Sequence, residues 1–320
     1  MKIRKRGFLG ALGAAGLALA WPAAAQSGLV RLVIPLSPGT TPDIIARVIS
    51  PLLQERLQTS VIVENKPGVS GMFGMGSVAR ATDANMLMIV PATTVTLPHF
   101  YKKVEFDVLR AFTPITHVAS SSFVLVVNNS LPVNSFADFV RWVRNNPGSF
   151  YASPGNGTHH HLFMEKLLLS LGIKLEHAPY RGSAPALNDL MAGQVPTMFL
   201  PIQVAVPLRS AGRLKIIGGS LRGRHPNFPD IPSLHELGAK EYHADPWYAV
   251  WGSPKISGEQ AENYRKAIVA ALIAPDVKDN LVGKQGLIIK TSTRAELQRM
   301  TQVESDMWSR VIEIAQIKPA

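Results

Sequence analysis

The chain of 320 residues contains no cysteine. Disulfides, thiolate metal sites and cysteine nucleophiles are therefore excluded, and the fold must be stabilised by buried apolar surface. Beyond one short run near the N-terminus, no stretch reaches the roughly 18 to 20 apolar residues that a membrane helix needs. The basic residues are scattered, with no run of five or six like charges, which argues against nucleic acid as a partner.

The first 25 residues have the pattern of a cleavable export signal. Basic residues come first, followed by an apolar run and then by three small residues: Lys2, Arg4, Lys5 and Arg6, then 8–20, then 23–25. We expect cleavage after about Ala25 and a soluble exported chain. Because the Lys5-Arg6 pair resembles a variant twin-arginine signal, the export route stays open between that pathway and the general secretory one.

The formal charge of the whole chain is +11, and losing the four basic residues of the leader, which has no acidic residue, leaves +7. A moderate positive surface of this kind suits anionic solutes.

Short β-rich runs alternate with longer helical patterns, which predicts an α/β fold with largely parallel sheets. The predicted strands are 29–36, 61–63, 86–90, 115–118, 123–127, 151–152, 175–178, 196–200, 214–218, 247–252 and 287–290. The principal predicted helices are 43–56, 161–171, 259–274 and 294–315.

Two extended segments, 115–127 and 247–252, are suited to chain crossings between two lobes. We expect one lobe from 26–127 plus 247–320 and a second from 128–246. Two crossings form a hinge, and hinged lobes close on ligands at their interface.

Two loops, 35–43 and 153–158, each join a predicted strand to a predicted helix. Backbone N–H groups and hydroxyls at a helix N-terminus bind anions, so two facing loops could hold both ends of one anionic ligand. The alternative, that Ser37, Thr40, Thr41 and Asp43 only cap the helix and form the turn, remains open at this point.

His159, His160 and His161 follow the second loop. Consecutive residues at a helix start point in different directions, so one metal ion could not easily collect all three, and their role stays open between helix start and ligand contact. Neither a phosphate-binding motif nor a nucleophile-elbow motif is present, and the glycines at 71, 74 and 76 have the wrong spacing for a dinucleotide site. We expect no metal, no cofactor and no catalysis.

Five segments, in order and with the right spacing, resemble the Bug family of periplasmic solute receptors of tripartite tricarboxylate transporters: 35–47, 63–68, 151–158, 179–186 and 211–214. The resemblance implies a two-lobed type II periplasmic-binding-protein fold with a central hinge. It also implies a periplasmic receptor that binds a small organic carboxylate and hands it to membrane transporter subunits. Delivery to a sensor kinase instead stays open, and we expect a monomer.

The loop chemistry and the resemblance together give the candidate ligand-binding residues. They are Ser37, Pro38, Gly39, Thr40, Thr41, Asp43, Thr93, Thr94, Ser153, Gly155, Asn156, Gly157, Thr158, His159, Ala184 and Leu200. Many members of the family have an aspartate where this chain has Leu200. An ammonium group would lose its acceptor there, and burying an unpaired charge is costly.

The sequence therefore predicts a ligand with an apolar middle, such as adipate or an aromatic carboxylate of the terephthalate kind, rather than an amino acid or citrate. The alternative from another class is an exported carboxylate-processing enzyme on the same bilobal scaffold, because fold alone does not decide function.

Overall fold

The computed structural model describes residues 28–101 and 103–317. The predicted export signal, 1–25, lies outside these residues. The strands are β1 (Val30–Ile34), β2 (Val61–Asn65), β3 (Met86–Pro91), β4 (Thr113–Ser120), β5 (Phe123–Asn128), β6 (Phe150–Ser153), β7 (Glu176–Pro179), β8 (Thr197–Pro201), β9 (Leu214–Gly219), β10 (Trp247–Gly252) and β11 (Ile288–Ile289). The α-helices are α1 (Thr41–Leu57), α2 (Met72–Ala79), α3 (Leu97–Phe100), α4 (Phe136–Asn145), α5 (His159–Leu171), α6 (Ser183–Met191), α7 (Ile202–Ser210), α8 (Gly258–Leu272), α9 (Pro275–Lys278) and α10 (Arg294–Ile314).

The strands form two separate sheets, and each sheet is the centre of one lobe. The first has six strands in the order β11-β4-β10-β3-β1-β2, and the second has five in the order β7-β6-β8-β5-β9. Helices pack on both sheets, and the predicted two-lobed α/β fold is confirmed.

The prediction of largely parallel sheets is wrong, because both sheets mix parallel and antiparallel pairs; β4, for example, is antiparallel to β10 and to β11. β1 is parallel to β2 and β3, and β6 is parallel to β7 and β8. In contrast, β5 and β10 are antiparallel to both of their neighbours. Each of these two strands enters its sheet directly from the other lobe, without the helical crossover that would return the chain in the parallel direction.

The first chain crossing between the lobes lies at an earlier position in the sequence than predicted. β5 pairs entirely within the second sheet, so the chain leaves the first sheet after Ser120 and crosses at Ser121 and Ser122. Segment 123–127, which the sequence assigns to the first lobe, therefore belongs to the second sheet. The backbone N–H of Ser121 donates to the Pro246 carbonyl at 2.8 Å, so the two crossings lie side by side.

The packing of helix α1 fixes the position of the first loop, 35–43. The helix buries Ile45, Ile49 and Leu53 against the apolar side of the first sheet, and Pro42 in its first turn has no N–H to leave unpaired. Burying a side chain of this size contributes about 2 kcal/mol. The start of α1 is thus fixed relative to β1.

The C-terminal helix α10 connects the two lobes. It packs on β4 and on the 3₁₀ turn Ala92–Thr96 of the first lobe, while its Trp308 stacks on Phe163 of α5 with ring centroids 6.0 Å apart.

No helix within 28–101 or 103–317 is both long enough and apolar enough to cross a bilayer.

Candidate functional site

A cavity of about 680 Å³ lies between the lobes, a volume ordinary for a small-molecule site. It is lined by the starts of α1 and α5, by the turn after β3, by α3 and by the connection from β8 into α7. Nine of the sequence-predicted residues line it: Gly39, Thr40, Thr41, Thr93, Thr94, Asn156, Gly157, Thr158 and His159. The structure therefore brings the two predicted loops to one cavity.

Seven of the predicted residues do not line the cavity: Ser37, Pro38, Asp43, Ser153, Gly155, Ala184 and Leu200. Ser37 and Pro38 are exposed on the outer side of the first turn, and Ala184 is exposed beside Ser183, which does line the cavity. The cavity lining gives these seven residues no support as direct ligand contacts, and their assignment stays a prediction.

Leu200 is turned away from the cavity because side chains alternate along β8. It is 2% exposed and packs with Met198 in the apolar layer that contains α6 and α7, whereas the next residue, Pro201, lines the cavity. Leu200 is therefore a core residue of the second lobe.

The Asp43 carboxylate is fully occupied within the first loop. It accepts from the Gly39 N–H at 2.9 Å, from Arg47 Nε at 3.0 Å and from Asn65 Nδ2 at 2.9 Å. Asn65 Nδ2 also donates to the Leu36 carbonyl, so this cluster ties the loop to β2 as well as to α1. Asp43 has the turn-forming role that the sequence left open.

Burial acts to raise the pKa of Asp43, but the hydrogen bonds from Arg47, Gly39 and Asn65 outweigh it and hold the pKa below its ordinary value. The carboxylate is ionised at neutral pH and positions the loop. Thr40 also bonds within the turn, from its Oγ1 to the Ser37 carbonyl at 2.8 Å. With Pro42 lacking a donor, the N–H groups of Thr41 and Asp43 are those that the first turn leaves without helical acceptors.

The second loop depends on two glycines and on its N-cap. Gly155 and Gly157 have φ of 139° and 75°, in the region that favours glycine. A Cβ at Gly157 would lie 3.0 Å from the Phe100 ring of the first lobe. Thr158 Oγ1 donates to the Gly155 carbonyl and accepts from the His161 N–H, so its hydroxyl shapes the loop and caps α5.

The second loop is held in place by hydrogen bonds to the ring nitrogens of His161 and His177. The His161 and His177 rings stack with centroids 3.8 Å apart. His161 Nδ1 accepts from the Gly157 N–H at 3.1 Å, and His177 Nε2 bonds to Ser153 Oγ at 2.6 Å. Burial lowers the pKa of His161 to about 3 and that of His177 to about 4, so both rings are neutral and structural.

His159 and His160 occupy the first two positions of α5 and both line the cavity. Burial lowers the pKa of each to about 3. His159 Nε2 and His160 Nδ1 are buried without a hydrogen-bond partner, as is Oε1 of the cavity residue Gln203. Both rings lie edge-on to Phe123, with centroids 5.5 Å and 4.9 Å from its centre.

The cavity residues that the candidate assignment did not include are numerous, and Phe123, Ser183, Gln203 and Tyr248 are among them. Phe123 and Tyr248 are at the starts of the two strands β5 and β10, in segments where the sequence predicted chain crossings between the lobes. Tyr248 hydrogen-bonds Thr41, and burial raises its pKa. No local motif marks Gln203, but Ser183 adjoins the predicted Ala184.

Among the residues that the structure describes, the cavity lining includes no Asp, Glu, Lys or Arg. Anionic groups in it would be bound by backbone N–H groups, hydroxyls and helix N-termini rather than by a cation. An ammonium group would find no carboxylate. The neutral, mostly apolar lining thus favours a solute with few charges and an apolar body.

The sequence of residues 45–317 matches the family model described as TctC, the tripartite tricarboxylate transporter family receptor. The chain belongs to the TctC receptor family. A relative, described as the UPF0065 protein in the tcbD-tcbE intergenic region of Pseudomonas sp. (strain P51), is 32% identical over 88% of this chain and 85% of its own.

Two solved structures agree with this assignment. The R. palustris protein Rpa4515 with adipate has a TM-score of 0.81 and 27% identity, over 94% of this chain and 100% of its own. The periplasmic binding protein BugD has a TM-score of 0.77 and 26% identity, over 91% of this chain and 99% of its own. TctC-family proteins and these neighbours are solute-binding proteins rather than enzymes.

Proposed function

We propose that this protein is a periplasmic receptor that captures a small organic carboxylate in the interlobe cavity and delivers it to a tripartite tricarboxylate-type transporter. The ligand has an apolar middle: it is an aliphatic dicarboxylate such as adipate or an aromatic carboxylate such as terephthalate. One observation carries the proposal: the starts of α1 and α5 meet at a cavity whose described lining has no charged side chain.

Each alternative ligand class conflicts with this lining. An amino acid would bury its ammonium group without an acceptor, and citrate would bury three carboxylates without a cation. One or two carboxylates can be held by the N–H groups at helix starts and by the Thr93 and Asn156 side chains, which line the cavity. The related R. palustris structure, Rpa4515 with adipate, is consistent with this class.

A thermal-shift screen followed by calorimetric titration tests the proposal, with adipate, terephthalate, nicotinate, citrate and glutamate as candidates. A ligand at 100 times its dissociation constant stabilises the folded state by about 2.7 kcal/mol, which raises Tm by about 5 °C in a chain of this size. We expect this shift with adipate or an aromatic acid. Tight binding of glutamate with no response to the other acids would refute the proposed ligand class.

Matched variants test the site. Thr93→Val and Asn156→Ala remove polar groups from the lining, and we expect each to weaken binding about tenfold by the loss of one hydrogen bond to a charged group. Thr291→Val and Asn129→Ala change the same residue types on the exposed surface and serve as controls. Recovery of the bound acid unchanged, checked by mass spectrometry, separates a receptor from an enzyme.

A further inference from the structure

The histidines at the start of α5 divide into two kinds according to what holds their rings. His161 is oriented by a hydrogen bond, from the Gly157 N–H to its Nδ1. His117, His177 and His225 likewise bond to a backbone carbonyl or a hydroxyl. In contrast, His159 and His160 each bury one ring nitrogen without a partner.

The contacts of His159 and His160 are those of aromatic rings. His160 lies edge-on to Phe123 at 4.9 Å with an interplanar angle of 83°, and His159 lies edge-on to the same ring at 5.5 Å with an angle of 60°. Phe123 is itself braced edge-on by Phe163 at 5.4 Å. This is the arrangement that aromatic pairs prefer, and it fixes the rings by packing alone.

His160 is the least buried residue of this cluster. Phe123 is 3% exposed and His159 is 9% exposed, while His160 is only half-buried, and all three line the cavity. Phe100 and Tyr101 line the same cavity from the first lobe. A ligand held by the loops at α1 and α5 therefore has flat aromatic surface available beside its body.

We propose that His160, held by Phe123, acts as an aromatic surface that selects a flat aromatic carboxylate over a saturated one of the same size. The inference rests on the proposed function and narrows its ligand class. A planar ring stacks or packs edge-on against such a surface, whereas a puckered saturated ring gains only apolar burial. The imidazole contributes as a ring and not as a hydrogen-bonding or charged group.

The test compares two pairs of acids that differ only in the aromaticity of the ring. Benzoate is paired with cyclohexanecarboxylate, and terephthalate with trans-cyclohexane-1,4-dicarboxylate. In calorimetric titration of the purified protein, we expect the aromatic member of at least one pair to bind about three- to tenfold more tightly, the range measured for aromatic pairing. Equal binding within both pairs, or tighter binding of the saturated acids, overturns the inference.

Three substitutions at one position separate a ring from a hydrogen-bonding group. His160→Phe keeps an aromatic ring and should keep the preference, while His160→Leu and His160→Gln should reduce it to less than twofold. A preference that survives in His160→Gln and is lost in His160→Phe contradicts the inference. His99→Leu, beside the cavity but not lining it, is the matched control and should leave the preference unchanged.

A parallel titration with adipate distinguishes failure of the His160 inference from failure of the proposed function. If adipate binds but neither aromatic acid is preferred over its saturated partner, only the role of His160 fails. If neither adipate nor any of the four ring acids binds, the proposed function fails together with it. Thermal unfolding of each variant shows that a lost preference comes from a folded protein.

Discussion

Asp43 illustrates at the residue scale how a charged side chain can shape a loop without lining the cavity. Its carboxylate accepts hydrogen bonds from Gly39, Arg47 and Asn65. These bonds hold the loop in its conformation without a ligand. Preorganisation of this kind lowers the entropic cost of binding.

Asp43→Asn should lower the free energy of unfolding by about 2 kcal/mol at neutral pH, because hydrogen bonds to a buried charged group are lost. Since the pKa of Asp43 is lower in the folded state, its contribution is complete above about pH 4 and is lost as the pH falls further. Urea denaturation should therefore show the difference from the parent at pH 7 and a smaller one near pH 3. Asp276→Asn, at an exposed helix start, is the control, and an equal effect of both changes would contradict the role of Asp43.

The two cavity histidines make a second prediction at this scale. Burial keeps the pKa of His159 and His160 near 3, so neither imidazole gains a proton in the physiological range. The affinity for a fully ionised carboxylate should then change less than about twofold between about pH 6 and about pH 8.5. Titration calorimetry at several pH values measures this. An affinity that rises severalfold towards pH 6 would instead indicate a protonated histidine at the carboxylate.

At the scale of elements, helix α10 contacts both lobes, in addition to the two chain crossings that link them. It belongs by packing to the first lobe, yet its Trp308 is 1% exposed and stacks on Phe163 of α5. Lys166 of α5 lies 5.7 Å from the centre of the same ring, and its ammonium donates to the His243 carbonyl at 2.7 Å. The helix whose start holds the second loop is thus braced by the C-terminal helix.

Trp308→Ala should destabilise the protein by about 3 to 5 kcal/mol, the usual cost of deleting a buried tryptophan side chain. Val303→Ala on the same helix, where the side chain is 68% exposed, should cost less than about 0.5 kcal/mol. Chemical denaturation of both variants checks the pair. Similar small losses in the two variants would show that α10 does not brace α5.

Local patterns predicted the elements well, and the relations between elements poorly. The helix 294–315 and the strand 247–252 agree with α10 and β10 within a residue, because their periodicity and caps are local. The direction of β5 and β10 was wrong, since it depends on partners in another part of the chain. Leu200, expected near the ligand, is one residue from Pro201, which lines the cavity, and successive residues of a strand face opposite sides of the sheet.

At the scale of the whole molecule, the site exists only because two distant segments are brought together. The two loops were predictable, since each joins a strand to a helix within a few residues. Phe123, Gln203 and Tyr248 were not, because they reach the cavity from the hinge strands and the start of α7. The division of the chain at 26–127 plus 247–320 and 128–246 remains a prediction about domains, apart from the earlier crossing at Ser121 and Ser122.

In the proposed function, the starts of α1 and α5 hold a carboxylate without help from a charged side chain. A crystal structure of the protein with its tightest-binding acid tests this most directly. We predict carboxylate oxygens about 3 Å from the N–H groups or hydroxyls of these two loops, with the apolar body of the ligand against the cavity wall. A carboxylate paired with a lysine or arginine, or a ligand bound outside the cavity, would contradict the account.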